Sequence, residues 1–213
     1  MTWIDRFYDQ LMMNRFLIIA AGIQLFILQG YSQKLPYVNH TEMGPMVGVM
    51  DDGIKRMDFS IQVFNGVKPH PNHEIGFLIG LDSYSGFGLM PLALGWRGIF
   101  NHERKYSPYV SMDLGYGSAM LNKRSRENQW ESWYHGGMLV NSAVGIRKKS
   151  KNGRYSYSLS LGFKKQKAAF FEGLRSLEFT QEGGNTLLPP GFTSVREENY
   201  ILNSLFLKGG IIF

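Results

Sequence analysis

The feature that most constrains this chain is an alternation of apolar and polar residues with period two, repeated over runs of about ten residues. Residues 155 to 164 give the clearest case. Tyr155, Tyr157, Leu159, Leu161 and Phe163 fall on one face; Ser156, Ser158, Ser160, Gly162 and Lys164 fall on the other. A helix would mix these sets, whereas a strand separates them. The same split recurs in Met57/Phe59/Ile61/Val63 against Asp58/Ser60/Gln62. It recurs in Ile75/Phe77/Ile79/Leu81 against Glu74/Gly76/Gly80/Asp82, with Leu78 an exception. Met90/Leu92/Leu94/Trp96, Val110/Met112/Leu114/Tyr116, Val140/Val144/Ile146 and Ile201/Leu205/Leu207/Ile211/Phe213 continue it. A weaker run is Met43/Pro45/Val47/Val49 against Glu42/Gly44/Gly48. The expected strands are near 41–50, 56–65, 73–83, 88–99, 106–118, 133–147, 154–167 and 198–213, and no stretch between them has a helical period.

Eight such strands can close with the apolar faces inward, as in a soluble barrel, or outward, as in a membrane barrel. The outward arrangement fits better. The polar faces are rich in Gly and Ser with scattered charges of both signs, suited to a crowded lumen. The apolar faces carry aromatics near strand ends (Trp96, Tyr116, Tyr155, Tyr157, Phe213), as an interfacial girdle would. Each strand is long enough to cross a bilayer at a tilt. A mean hydropathy of −0.19 excludes a bundle of membrane helices but not such a barrel. The expected fold is therefore all-β, an eight-stranded antiparallel up-and-down transmembrane β-barrel. Asp58, Asp82, Arg97, Asp113, Arg147, Lys164 and Lys208 all lie on the polar face. They read as a paired luminal network, in preference to an ion path, with Asp113 the nearest acidic partner for Arg97 and Arg147.

Phe16 to Leu28 reads FLIIAAGIQLFIL, thirteen residues with Gln24 the one polar member. As a helix it spans about 20 Å, short of a hydrocarbon core of about 30 Å. Arg15 precedes it, and Gly30-Tyr31-Ser32 places small residues at −3 and −1 before Gln33. A basic start, a short apolar run and a small-x-small site describe a secretory signal peptide over residues 1–32, which leaves 33–213 as the exported barrel. Met12 or Met13 is a better start than Met1, with residues 1–11 an over-extended reading frame.

Loop lengths then orient the barrel. Short turns at 148–154 (KKSKNGR, with Asn152-Gly153 a type I′ hairpin signal), 101–107 and 65–72 are expected on the periplasmic side with both termini. The segments at 51–56, 83–88, about 118–133 and about 168–198 are expected outside. The last two hold most of the irregular chain and are the expected interaction surface.

The ending of the fifth strand (YVSMDLGYG), the YSLSLGFKKQ of the seventh and the closing FLKGGIIF resemble the outer membrane protein β-barrel domain family of Gram-negative bacteria. The resemblance covers roughly residues 40 to 213. It implies an outer-membrane location, with membrane lipid and lipopolysaccharide as surroundings, and it supplies no catalytic residues. Phe213, closing an alternating strand, resembles the signal read by the barrel-assembly machinery.

The chemistry-bearing residues are sparse. The 213 residues include no Cys, which excludes a disulfide scaffold and a thiolate metal site. No Walker loop, G-x-G-x-x-G, H-E-x-x-H or G-x-S-x-G is present. His70 and His73 are spaced H-x-x-H, but Pro69 and Pro71 break a helix that could aim both at one metal, so they read as turn residues. His135 precedes Gly136-Gly137 and lacks the neighbouring Ser of the barrel lipid A deacylases. The net charge of +6 sits mostly in turns, without the basic stripe that nucleic-acid binding needs. No cofactor, metal or catalytic residue is expected. The leading expectation is a non-enzymatic barrel with a filled lumen. The alternatives are passive solute transport and, more weakly, a lipid-modifying enzyme.

Overall fold

The computed structural model describes residues 35–49, 53, 55–122, 124–175 and 191–213; the expected signal peptide lies outside them. Its strands are β1 (Tyr37–Val49), β2 (Lys55–His70), β3 (His73–Tyr84), β4 (Phe87–Ile99), β5 (Tyr106–Ser118), β6 (Ser125–Glu127), β7 (Trp130–His135), β8 (Gly137–Lys149), β9 (Ser156–Arg175) and β10 (Phe192–Ile212). Eight of them form a ring in the order β1-β2-β3-β4-β5-β8-β9-β10, and β10 pairs back onto β1. All pairings are antiparallel between ring neighbours, the up-and-down topology. The seam is sealed at the end that holds the start of β1 and the last residue. There Asn39 and Phe213 exchange backbone hydrogen bonds of 3.1 and 2.9 Å. This end is called the near end, and the opposite one the far end.

The barrel is inside out relative to a soluble protein. Arg97 and Lys208 are wholly buried, whereas Leu161 is 56% and Phe77 69% exposed. Polar and small residues face the lumen; Leu, Ile, Val, Met and aromatics face outward around the ring. Such an exterior is unfavourable in water and is stabilised by hydrocarbon, so the fold is that of a transmembrane barrel. Along β9 and the residue before it the outward apolar stretch runs from Tyr155 to Phe163 and then gives way to Lys165 and Lys167. At about 3.3 Å per residue and a usual tilt, that stretch covers about 20 Å of bilayer.

Several strands are longer than the alternation indicated. β1 starts at Tyr37 and β2 continues to His70, because polar residues carry the pairing beyond the apolar belt. Asn39 opposes Asn65, and their side chains bond at 2.7 Å, with the Tyr37 hydroxyl donating to Asn65 Oδ1 at 2.5 Å. The turn between β2 and β3 is reduced to Pro71-Asn72.

At the far end, β9 and β10 stay paired out to Arg175 and Phe192. The described parts of the segment expected to be irregular, about 168 to 198, are thus almost all strand; residues 176–190 lie outside the described residues. Likewise the segment 118–133 contains the β6–β7 hairpin, with β7 added to β9 beyond the barrel. The chain switches neighbours at Gly136, where a Cβ would sit 1.7 Å from the Gly117 carbonyl oxygen, so a side chain there would force the strands apart.

The 148–154 turn also differs from a type I′ turn. That turn needs left-handed backbone at both central residues, and only Gly153 has it (φ 66°). Ser150 N–H donates to Tyr155 O at 3.0 Å and Gly153 N–H donates to Ser150 O at 3.2 Å, which makes a four-residue loop with one left-handed glycine.

Candidate functional site

The lumen is the most elaborate polar environment in the chain, and strand parity builds it. Even-numbered residues of β1, β2, β3, β9 and β10 point inward, as do odd-numbered residues of β5 and β8. An eight-stranded ring leaves an interior just wide enough for side chains to meet across it.

Its central layers are charged and paired. Arg97 on β4 bonds Asp113 on β5 at 2.5 Å, and Asp113 also accepts from Asn141 Nδ2 on β8 at 2.8 Å. Lys164 on β9 reaches across the barrel to Asp82 on β3. Arg147 on β8 reaches across to Glu74 on β3 with two parallel bonds of 2.8 Å, the fork geometry that makes such a pair strong. Lys208 donates to Gln62 at 2.8 Å, and Gln62 donates to Glu42 at 3.2 Å. Glu42 further accepts from Tyr109 at 3.0 Å and Ser160 at 2.9 Å. Arg56 Nε lies 2.6 Å from Asp58, and its Nη2 donates to Ser204 Oγ at 2.6 Å.

All seven residues expected on the polar face are thus buried, and Arg97–Asp113 and Lys164–Asp82 are pairs among them. The partners of Asp58, Arg147 and Lys208 are Arg56, Glu74 and Gln62, which the sequence reading had not singled out, and His40, Glu42 and Tyr109 also belong to the network. Parity would have found Glu42 and Glu74, which sit on polar faces. That Glu74, rather than Asp113, takes Arg147 follows from ring closure, which brings β3 opposite β8.

The luminal charges balance. Five cations (Arg56, Arg97, Arg147, Lys164, Lys208) meet five carboxylates (Glu42, Asp58, Glu74, Asp82, Asp113). A lumen with no excess of one sign offers little basis for ion selection. Toward the far end the lining becomes more apolar around the Arg56–Asp58 pair, whose guanidinium lies over the Tyr84 ring. Met46, Leu89, Leu202 and Phe206 pack with Tyr84, Ala143 and Ala168. Phe87 stacks there on Tyr84 (5.4 Å) and Tyr134 (4.8 Å).

One arrangement invites comparison with hydrolases. His40 Nε2 lies 2.7 Å from Ser158 Oγ and 3.4 Å from Glu42 Oε1. In a relay the acid orients the imidazole through the nitrogen that the serine does not use. Here both groups address the same nitrogen, and all three residues are enclosed in the lumen. The set is a structural hydrogen-bond cluster.

The other histidines are placed by turns and rings. His70 and His73 face each other in the register of the β2–β3 turn with rings 5.6 Å apart. His70 Nδ1 accepts from the Asn72 backbone, and His73 stacks on Trp96 at 5.8 Å. His135 packs edge-on against Phe171 at 5.0 Å. Beyond the barrel, β6, β7, β9 and β10 form an extension held by Trp133, which is buried between Phe171 and Phe192. Glu131 there pairs with Arg124 and Arg175.

No family model matches the chain, and no curated protein matches it in sequence. Among solved structures it is similar to the crystal structure of Neisserial surface protein A (NspA), with a TM-score of 0.51 over 83% of this chain and 95% of that one. The identity is 10%. What the two share is the fold. The likeness therefore agrees with the outer-membrane resemblance of the sequence at the level of the barrel and adds no narrower family.

Proposed function

We propose that this protein is a non-enzymatic integral barrel of the outer membrane, exported with cleavage before Gln33. Its far-end extension and loops, about 118–133 and 168–198, face outward as an interaction surface, with lipopolysaccharide and other membrane lipid around the wall. The observation that carries this reading is the lumen. Two of its charge pairs cross the barrel and others join the same or adjacent strands, and apolar side chains pack its far mouth around the Arg56–Asp58 pair, an interior suited to holding the wall rigid rather than to passing solutes. Purified monomer in planar bilayers is therefore expected to give small or no steady conductance. A large ohmic pore from the monomer would replace this reading with passive transport. Unchanged lipid A masses with and without expression are expected; a shift dependent on His135 would favour a lipid-modifying enzyme instead.

Phe213 belongs to the same proposal. Its ring is 64% exposed on the outer wall at the near end, where aromatics anchor in the interface. We assign it a second role as the assembly signal read during insertion. Deleting Phe213 should lower folded protein in membrane fractions several-fold, and Phe213→Tyr should not, as read by heat-modifiable gel mobility. Equal folded yield for wild type and deletion would remove that role.

A further inference from the structure

Among the described residues, the unpaired cations of the near end gather on one side. Two turns, β4–β5 and β8–β9, lie beside each other because β5 pairs β8, and the Lys149 N–H donates to Lys105 O at 3.0 Å. Together they carry Arg104, Lys105, Lys148, Lys149, Lys151 and Arg154, all exposed, with no ion pair to any of the six among the described residues. The one acid in these turns, Glu103, lies 4.0 Å from His102. Among the described residues, the rest of this rim carries a single further Lys or Arg, Lys68, whose Nζ pairs with Glu74 at 3.4 Å.

The position of these cations points to their partner. Lys148 stands in register between Tyr106 on β5 and Tyr157 on β9. Its Nζ lies 5.8 Å from the Tyr106 ring, and Lys105 Nζ approaches the same ring at 6.0 Å. Tyr106 and Tyr157 are outward-facing rings at the near edge of the apolar belt, the level at which lipid phosphates lie. The ammonium groups thus sit beside hydrocarbon-contacting rings, where a long side chain keeps its head at the headgroup layer. We infer that this patch is a binding site for anionic phospholipid in the near-side leaflet. The lipid phosphodiester would be held by Lys105 and Lys148, and its acyl chains would lie along Ile146 and Leu159. The inference rests on the membrane-spanning reading and adds to it a lipid class and a side of the wall. A soluble acidic protein would not need the tyrosine rows, and a free phosphate would gain nothing from them.

The test begins with insertion into phosphatidylcholine vesicles, read by heat-modifiable gel mobility. Failure to insert there would count against the membrane-spanning reading itself, and with it this site. Inserted protein is then extracted from equimolar phosphatidylglycerol and phosphatidylcholine, and co-retained lipid is counted by native mass spectrometry. Phosphatidylglycerol is expected to be enriched, with the enrichment falling as salt rises. Each cation removed should weaken retention by about fivefold. Replacing Lys105, Lys148, Lys149 and Lys151 together by Gln should therefore lower the enrichment by about a hundredfold or more, while Lys165→Gln with Lys167→Gln, on the far side of the belt, should leave it intact. Equal retention of the two lipids by wild-type protein would overturn the inference even if the quadruple variant fails to fold. So would enrichment that survives in a folded quadruple variant, or binding of polyglutamate in preference to phosphatidylglycerol.

Discussion

Glu74→Ala is expected to destabilise the barrel by about 3–5 kcal/mol, the usual consequence of stranding one member of a buried ion pair. Glu74 is wholly buried and accepts both Nη groups of Arg147, with Lys68 Nζ a further 3.4 Å away. Without it, the Arg147 guanidinium would remain in the lumen over the Tyr109 ring, having lost its one ion pair among the described residues. The cost should be largely recovered when Arg147→Met is combined with Glu74→Leu, because an apolar pair of similar volume needs no compensation. Reversible urea unfolding in lipid vesicles gives both values. A loss below about 1 kcal/mol for Glu74→Ala, the range of a solvated surface pair, would mean that water reaches Arg147 freely and that the lumen is not filled.

Leu161→Arg should cost about 2–4 kcal/mol in the same assay, the penalty for a guanidinium at the bilayer midplane on a barrel wall. Leu161 lies between Val144 and Leu207 in register, within the outward apolar stretch of β9 and one outward position from its middle. Ile211→Arg, in the row that contains Thr41 and Tyr157 near the aromatic edge, should cost far less, about 0–1 kcal/mol. Equal costs at the two positions would mean that the belt does not span hydrocarbon at this depth.

Legibility of the fold in the sequence follows the lipid. Where a strand crosses hydrocarbon its outward residues must be apolar, and the period of two is plain, as from Tyr155 to Lys164. Where the same strand leaves the belt the constraint disappears. Lys165 and Lys167 continue β9, and Asn39 and Asn65 continue β1 and β2, with nothing in hydropathy to mark them as strand. The lumen imposes a different requirement, volume rather than polarity. Phe64, Leu78, Met46 and Phe206 therefore point inward, and Leu78 reads as a fault in the alternation although it packs cleanly with Ala93 and Leu139.

The network was legible as a face and not as a set of pairs. Arg97 and Asp113 sit on adjacent strands two rungs apart, so local pairing brings them together. Arg147–Glu74 and Lys164–Asp82 join strands that are distant in both sequence and sheet order, and only closure of the ring makes them neighbours. The far-end extension escaped for another reason. Its pairs rest on stacked aromatics such as Trp133 and Phe171, which carry no periodic signal in a stretch otherwise rich in charge.

The most direct measurement of the central claim, an apolar face turned to lipid around a filled interior, is a nitroxide scan along β9. The chain has no Cys, so single cysteines at 157 through 164 can be labelled without background. In reconstituted vesicles, labels at Tyr157, Leu159, Leu161 and Phe163 should be open to oxygen and closed to a water-soluble nickel chelate. Labels at Ser158, Ser160, Gly162 and Lys164 should be immobile and closed to both. Odd positions that are closed while even positions react with the nickel chelate would turn the barrel right side out and contradict the account.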